Sequence, residues 1–240
     1  MPVKTLADLR TKIFADGADL PSMLALSQRP YIRGFTTNPT LLKLAGVRDY
    51  RGFAAEAVRA IPDRPISFEV LSDDFGEMER QAREIAGWGS SVYVKIPVTN
   101  TRGESSFDLI HRLSHADVKV NVTAVLTLAQ VEGATAALAG GAPSNISVFA
   151  GRIADTGRDP VPTMIDALRI MSAVPEAELI WASPREVLNI VQADSIGCHI
   201  ITVTNDLLRK LDTIGRDLAR FSLETVQMFS NDALKAGLTL

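Results

Sequence analysis

The chain has 240 residues, 46% hydrophobic and 22% charged, with a formal net charge of −3 at pH 7. This is an ordinary globular balance, and with a pI near 5.7 it argues against a nucleic-acid or anionic-membrane surface. A single cysteine, Cys198, excludes an intrachain disulfide, no Cys/His cluster has zinc-site spacing, and a chain this long can bury its own core without either staple.

In chain order, the N-terminus Met1-Pro2-Val3-Lys4-Thr5-Leu6 lacks the apolar core and cleavage site of a signal peptide. No apolar run approaches the ~20 residues of a membrane span. The expected location is therefore cytoplasmic, with no membrane partner. Short apolar, β-branched runs bounded by turn residues then recur at Lys12–Asp16, Ile32–Thr36, Pro65–Val70, Val92–Pro97, Lys119–Val125, Asn145–Phe149, Leu179–Ser183 and His199–Val203. Between them lie stretches with helical apolar spacing, such as Phe75–Trp88, Phe107–His115 and Val161–Ala173. Strands that alternate with helices pair in parallel, because each helix serves as a crossover. The pattern predicts an α/β fold, a single (β/α)8 barrel of the TIM type over residues 1–240, with a doubly wound open sheet as its rival. After the eighth strand, residues 213–237 form a C-terminal helical extension whose apolar stripe either covers its own barrel or reaches onto a neighbouring subunit.

Polar residues collect at the C-terminal ends of the predicted strands, the rim where such barrels carry their chemistry. They are Asp16, then Thr36 and Asn38, Glu69, Lys95, Asn121 and Thr123, Ser147 and Arg152, and finally Ser183 and Arg185. Lys95 stands alone in Val92-Tyr93-Val94-Lys95-Ile96-Pro97. Desolvation there favours the neutral amine, which can attack a ketone, although a strand-end lysine can also simply reach solvent. Asp16 and Glu69 on neighbouring rims could move the protons such an attack requires. Arg152, Arg185 and Ser183 fit a phosphate clamp, since guanidinium groups present paired donors; structural ion pairs are the alternative. Gly87-Trp88-Gly89 lacks the third glycine of a nucleotide loop. His111 and His115 sit at i and i+4 without a Glu partner or third ligand, so a solvated helix face is expected. No metal and no cofactor is called for.

These residues resemble the transaldolase family. The resemblance is carried by Gly34-Phe35-Thr36-Thr37-Asn38-Pro39-Thr40, Val94-Lys95-Ile96-Pro97 and Asn121-Val122-Thr123-Ala124, followed in order by Ser147-Val148-Phe149-Ala150-Gly151-Arg152-Ile153-Ala154-Asp155 and Ala182-Ser183-Pro184-Arg185. It implies that Lys95 forms a Schiff base and that Asp16 takes the proton from the donor hydroxyl as the carbon–carbon bond breaks. Glu69 and Thr123 would position a proton-shuttling water. Asn38, Asn121 and Ser147 would hold dihydroxyacetone hydroxyls, with Thr36 lining the same mouth. Arg152, Ser183 and Arg185 would hold the phosphate of a sugar phosphate. The implied activity is transfer of a dihydroxyacetone unit between sugar phosphates, as in the pentose phosphate pathway, by a homo-oligomer that uses the C-terminal segment.

The resemblance also covers fructose 6-phosphate aldolases, which release dihydroxyacetone. In those a tyrosine typically replaces the phenylalanine of the sixth-strand motif and a glutamine the third-strand glutamate; Phe149 and Glu69 side with transfer. Two departures bear on the substrate. Asp16-Gly17-Ala18 stands where Asp-Thr-Ala or Asp-Ser-Ala is usual, and Trp181 and Pro184 flank the serine of the implied phosphate site, which the indole could reshape. The alternatives are an aldolase and a non-catalytic sugar-phosphate-binding barrel.

Overall fold

A computed structural model describes residues 5–238. Eight parallel strands close in sequence order: β1 Lys12–Asp16, β2 Ile32–Thr36, β3 Ile66–Glu69, β4 Val92–Pro97, β5 Val120–Val125, β6 Ser144–Val148, β7 Ala177–Trp181 and β8 Ile200–Thr204. β1 pairs with both β2 and β8, which closes the barrel and removes the open-sheet alternative. The helices are α1 Leu20–Ser27, α2 Pro39–Leu44, α3 Tyr50–Ala60, α4 Phe75–Ala86, α5 Phe107–Ser114, α6 Leu128–Leu138, α7 Ala150–Ala154, α8 Pro160–Met171, α9 Leu188–Ser195, α10 Asn205–Leu208 and α11 Leu218–Lys235. Many start on a polar cap that satisfies a free backbone N–H: Asp19, Asn38, Asp49, Asp74, Thr127, Asp159 and Asp217 each accept from the first turn that follows.

The strand period of two divides the chain between two compartments. Outward residues such as Val94, Ile96, Phe68 and Val122 pack under the helices in the main core. Phe14, Ile180 and Ile200 form a separate apolar plug inside the barrel. Gly34 faces that plug across β1–β2, where a Cβ would lie 2.6 Å from the Phe14 ring, so this strand position has room only for glycine.

The end of β7 differs from the sequence expectation for a backbone reason, and β5 is irregular near its expected end. β7 stops at Trp181 rather than Ser183, because Ser183 adopts φ 57°, a left-handed conformation that ends a strand. β5 carries a register shift between Val122 and Val125, with Ala124 at φ 61°, so Thr123 lies at an irregularity near the rim. Trp181 corrects a further expectation. It belongs to the outer core and is fully buried there, so its indole does not shape the implied phosphate site.

Cys198 is buried, and burial pushes its thiol up to about 12, which leaves it a packing residue. The C-terminal extension does not cover its own barrel. None of the α11 side chains is buried, and Leu218 and Leu234 remain about four-fifths exposed. No helix of the described residues is long and apolar enough to cross a membrane.

Candidate active site

Strand register places the reactive groups beside one another. Glu69 pairs with Lys95 across β3–β4, and Lys95 pairs with Asn121 across β4–β5. Asp16 pairs with Thr36 on one side and Thr204 on the other. All these side chains point inward by the same alternation.

Lys95 is 6% exposed. Its Nζ donates to the Thr37 carbonyl at 2.8 Å and lies 2.9 Å from Glu69 Oε2. A buried ammonium needs such partners. The Glu69 backbone is fixed from outside the barrel. The Tyr50 hydroxyl accepts from Glu69 N at 2.8 Å and donates to Glu69 O at 3.1 Å, and its ring packs edge-on against Phe68 and Trp88.

Asp16 sits at the end of a hydroxyl relay. Thr36 Oγ1 donates to Asp16 Oδ1 at 2.7 Å and lies 2.5 Å from Thr202 Oγ1. A hydroxyl has one proton, so with Thr36 donating to the carboxylate, Thr202 donates to Thr36. Burial raises the Asp16 pKa above its ordinary value; Lys95 and the Thr36 hydroxyl oppose that rise, and Glu69 adds to it.

One floor below, Ser147 Oγ donates to Asn121 Oδ1 at 2.7 Å, and Asn121 Nδ2 donates to Ser67 Oγ at 3.1 Å. Asn121 is fully buried, and its side chain bridges Ser67 and the cavity-lining Ser147. Thr123 lines the mouth, and its Oγ1 is buried without a hydrogen-bond partner, which leaves the hydroxyl available to a ligand or water. Asn38 commits its Oδ1 to capping α2, accepting from Leu41 N at 2.9 Å; its amide N–H groups remain to serve the cavity it lines.

The Arg152–Arg185 side of the mouth is built where the start of α7 locks onto the loop after β7. Gly151 N donates to Ala182 O at 3.2 Å, and a Cβ on Gly151 would lie 1.4 Å from Ser183 O. That contact sets Arg152, on α7, beside the Ser183-Pro184-Arg185 loop. Arg152 stands over the Phe149 ring, with 5.7 Å between the guanidinium carbon and the ring centre. Arg185 is already engaged: its Nε donates to Asp155 Oδ1 at 2.9 Å and its Nη2 to Asp155 Oδ2 at 2.5 Å. The ion-pair alternative for Arg185 therefore holds in this structure, at a solvent-exposed position.

Of the residues expected at the site, all but Asn121 line one cavity of about 420 Å³, a size suited to a phosphorylated sugar. Sequence reading missed Tyr50, Thr202 and Asp155. Thr202 was open to the same alternation rule, being two residues from Thr204 on β8. Tyr50 lies on a helix and Asp155 in a loop, with no strand pattern to mark them. His111 and His115 lie with ring centres 3.9 Å apart at a tilt of 41°, and His111 Nδ1 faces the Ala137 carbonyl.

The model of the transaldolase/fructose-6-phosphate aldolase family matches residues 13–239. The chain belongs to that family. Relatives include a probable transaldolase of Dehalococcoides mccartyi, 33% identical over 201 residues, covering 83% of this chain and 89% of the relative. A probable transaldolase of Streptococcus agalactiae is 34% identical over 203 residues, covering 84% of this chain and 90% of the relative. Among solved structures, the citrate synthase SbnG superposes with a TM-score of 0.58 at 11% identity over 95% of both chains. A mandelate oxidase variant superposes at 0.57 with 16% identity, over 98% of this chain and 82% of that one. At such identities these two structures speak to the barrel alone. Family membership makes the chain an enzyme of transaldolase type in carbohydrate metabolism.

Proposed function

We propose that the protein transfers a dihydroxyacetone unit from a ketose phosphate to an aldose phosphate through an imine on Lys95. The observation that carries this reading is a buried amine in a sugar-sized cavity, with Glu69 in contact and Asp16 lining the same space. The amine adds to the ketose carbonyl, and loss of water from the carbinolamine gives the imine. Glu69, with the unpartnered Thr123 hydroxyl, holds the water that carries these protons. Asp16 removes the proton from the hydroxyl at C4 as the C3–C4 bond breaks; the aldose phosphate leaves and an enamine stays on Lys95. Attack of the enamine on a second aldehyde returns the proton from Asp16, and hydrolysis frees the product ketose. Ser147, set by Asn121, and the Asn38 amide hold the hydroxyls of the three-carbon unit. Arg152, Ser183 and Arg185 receive the phosphate, Arg185 exchanging Asp155 for it.

Transfer is favoured over release by Phe149, which lines the cavity beneath Arg152 and offers no acidic hydroxyl near the enamine carbon. The test compares free dihydroxyacetone with transferred product. Without acceptor, dihydroxyacetone should appear slowly from fructose 6-phosphate; with erythrose 4-phosphate, ketose turnover should rise at least about tenfold, or ~1.4 kcal/mol in relative barrier. Phe149→Tyr should narrow that gap. Release as fast as transfer to every aldehyde offered would make the enzyme an aldolase.

We also infer that α11 seats on a second copy of the chain, giving a homo-oligomer. Leu218, Phe221, Val226 and Phe229 present a largely exposed apolar surface that no part of the barrel covers. The protein is expected to act in the cytoplasm on small sugar phosphates.

A further inference from the structure

The opposite, N-terminal mouth of the barrel holds a second cavity of about 430 Å³, comparable to the first. Strand starts build it: Lys12 from β1, Ile32 and Arg33 from β2, Tyr93 from β4, Asn145 from β6 and Glu178 from β7, with Asp63 and Arg64 from the loop before β3. Its apolar floor is the underside of the plug, Phe14 and Ile200. The charges facing it are three cations and two carboxylates, and they are unequally matched. Lys12 Nζ donates to Glu178 Oε1 at 2.7 Å and is satisfied. Arg64 has only a loose contact, 3.7 Å from its Nε to Asp63 Oδ2, and that carboxylate is 70% exposed. Arg64 Nη1 is buried with no hydrogen-bond partner, and Arg33 makes no ion pair among the described residues.

A buried guanidinium N–H without an acceptor is costly, because it gives up water and gains no partner. A purely structural arginine would spend that fork on a nearby carboxylate, as Arg80 does with Glu77. Here Arg64 and Arg33 line a cavity with excess positive charge, an amide at Asn145 and an apolar floor. We propose that this lower mouth is a binding site for a phosphate dianion, free or as the end group of a small phosphomonoester, held by Arg64 and Arg33. The reading of the upper mouth plays no part in this.

The test must silence the upper mouth, which also contains arginines. Inorganic phosphate and glycerol phosphate are titrated calorimetrically into an Arg152→Ala/Arg185→Ala protein. One site should bind; Arg64→Gln should weaken it by at least about tenfold, and Arg33→Gln should also weaken it. Glu178→Gln should tighten binding, because it removes a competing carboxylate and frees Lys12, and misfolding cannot produce a gain. Ligand should raise the melting temperature in the background protein and not with Arg64→Gln added. Equal affinities assign the free ion; tighter glycerol phosphate assigns the ester, through the Phe14–Ile200 floor. No binding at about 10 mM ligand, or binding indifferent to Arg64 and Glu178, overturns the proposal.

Discussion

Burial raises the Asp16 pKa, so the ionised carboxylate that the proposed reaction needs is held at a cost to the fold. The sign follows from proton linkage. Between the ordinary 3.8 and the raised folded value, the native state binds more protons than the unfolded chain. The contribution of Asp16 to stability therefore falls as pH rises through that window. Asp16→Asn should be more stable than the parent to urea at neutral pH while losing turnover, and the stability difference should fade below about pH 3.8. An Asp16→Asn protein that is less stable at neutral pH would contradict this. At the proposed phosphate site, Arg185 fits a bidentate partner, as its geometry on Asp155 demonstrates. Arg185→Lys should raise the Michaelis constant for a ketose phosphate by a loss of roughly 1.5–3 kcal/mol, because a point charge does not reproduce the fork. An unchanged constant would make Arg185 structural. Single residues were legible in proportion to how badly they fitted their strand. Lys95, Asp16 and Glu69 interrupt apolar runs and announced themselves. Asp155 did not, because an acidic residue in a loop is ordinary until its partner is known. Trp181 was misplaced because proximity in sequence to Ser183 says nothing about which face of β7 it takes.

Elements were read more accurately in their existence than in their ends. All eight strands are where periodicity put them, since an alternating or continuous apolar run has few other uses at that length. The misjudged end of β7 depends on the left-handed backbone of Ser183, which no side-chain pattern encodes. The same contact gives a prediction about the loops. Gly151→Ala would drive a methyl into the Ser183 carbonyl, 1.4 Å away, and α7 must move to relieve it. Thermal unfolding should register a loss of about 1–3 kcal/mol or more, with weaker ketose-phosphate binding because Arg152 moves with the helix. A fully stable variant with parental binding would show that the two loops are not coupled. The C-terminal extension was legible as an amphipathic helix, but not as to what it covers, because sequence cannot say whose surface meets an apolar stripe. Sedimentation should show an oligomer well above 25.9 kDa, and Phe221→Asp with Phe229→Asp should dissociate it. A parent that sediments as a monomer at micromolar concentration would refute the assembly.

At the scale of the whole molecule, one alternation rule sends half of each strand to the helix layer and half to the barrel interior. That interior is itself split by the Phe14–Ile180–Ile200 plug into an upper mouth with the lysine and a lower one lined by Arg33 and Arg64. The central claim concerns the upper mouth, that Lys95 becomes covalently bonded to the substrate. Incubation with fructose 6-phosphate and borohydride, followed by digestion and mass spectrometry, tests it most directly. The predicted result is a reduced adduct, of three carbons or the whole sugar, on the peptide containing Lys95, and none in a Lys95→Met protein. An adduct on another residue, or no adduct with any ketose phosphate while turnover proceeds, would contradict it.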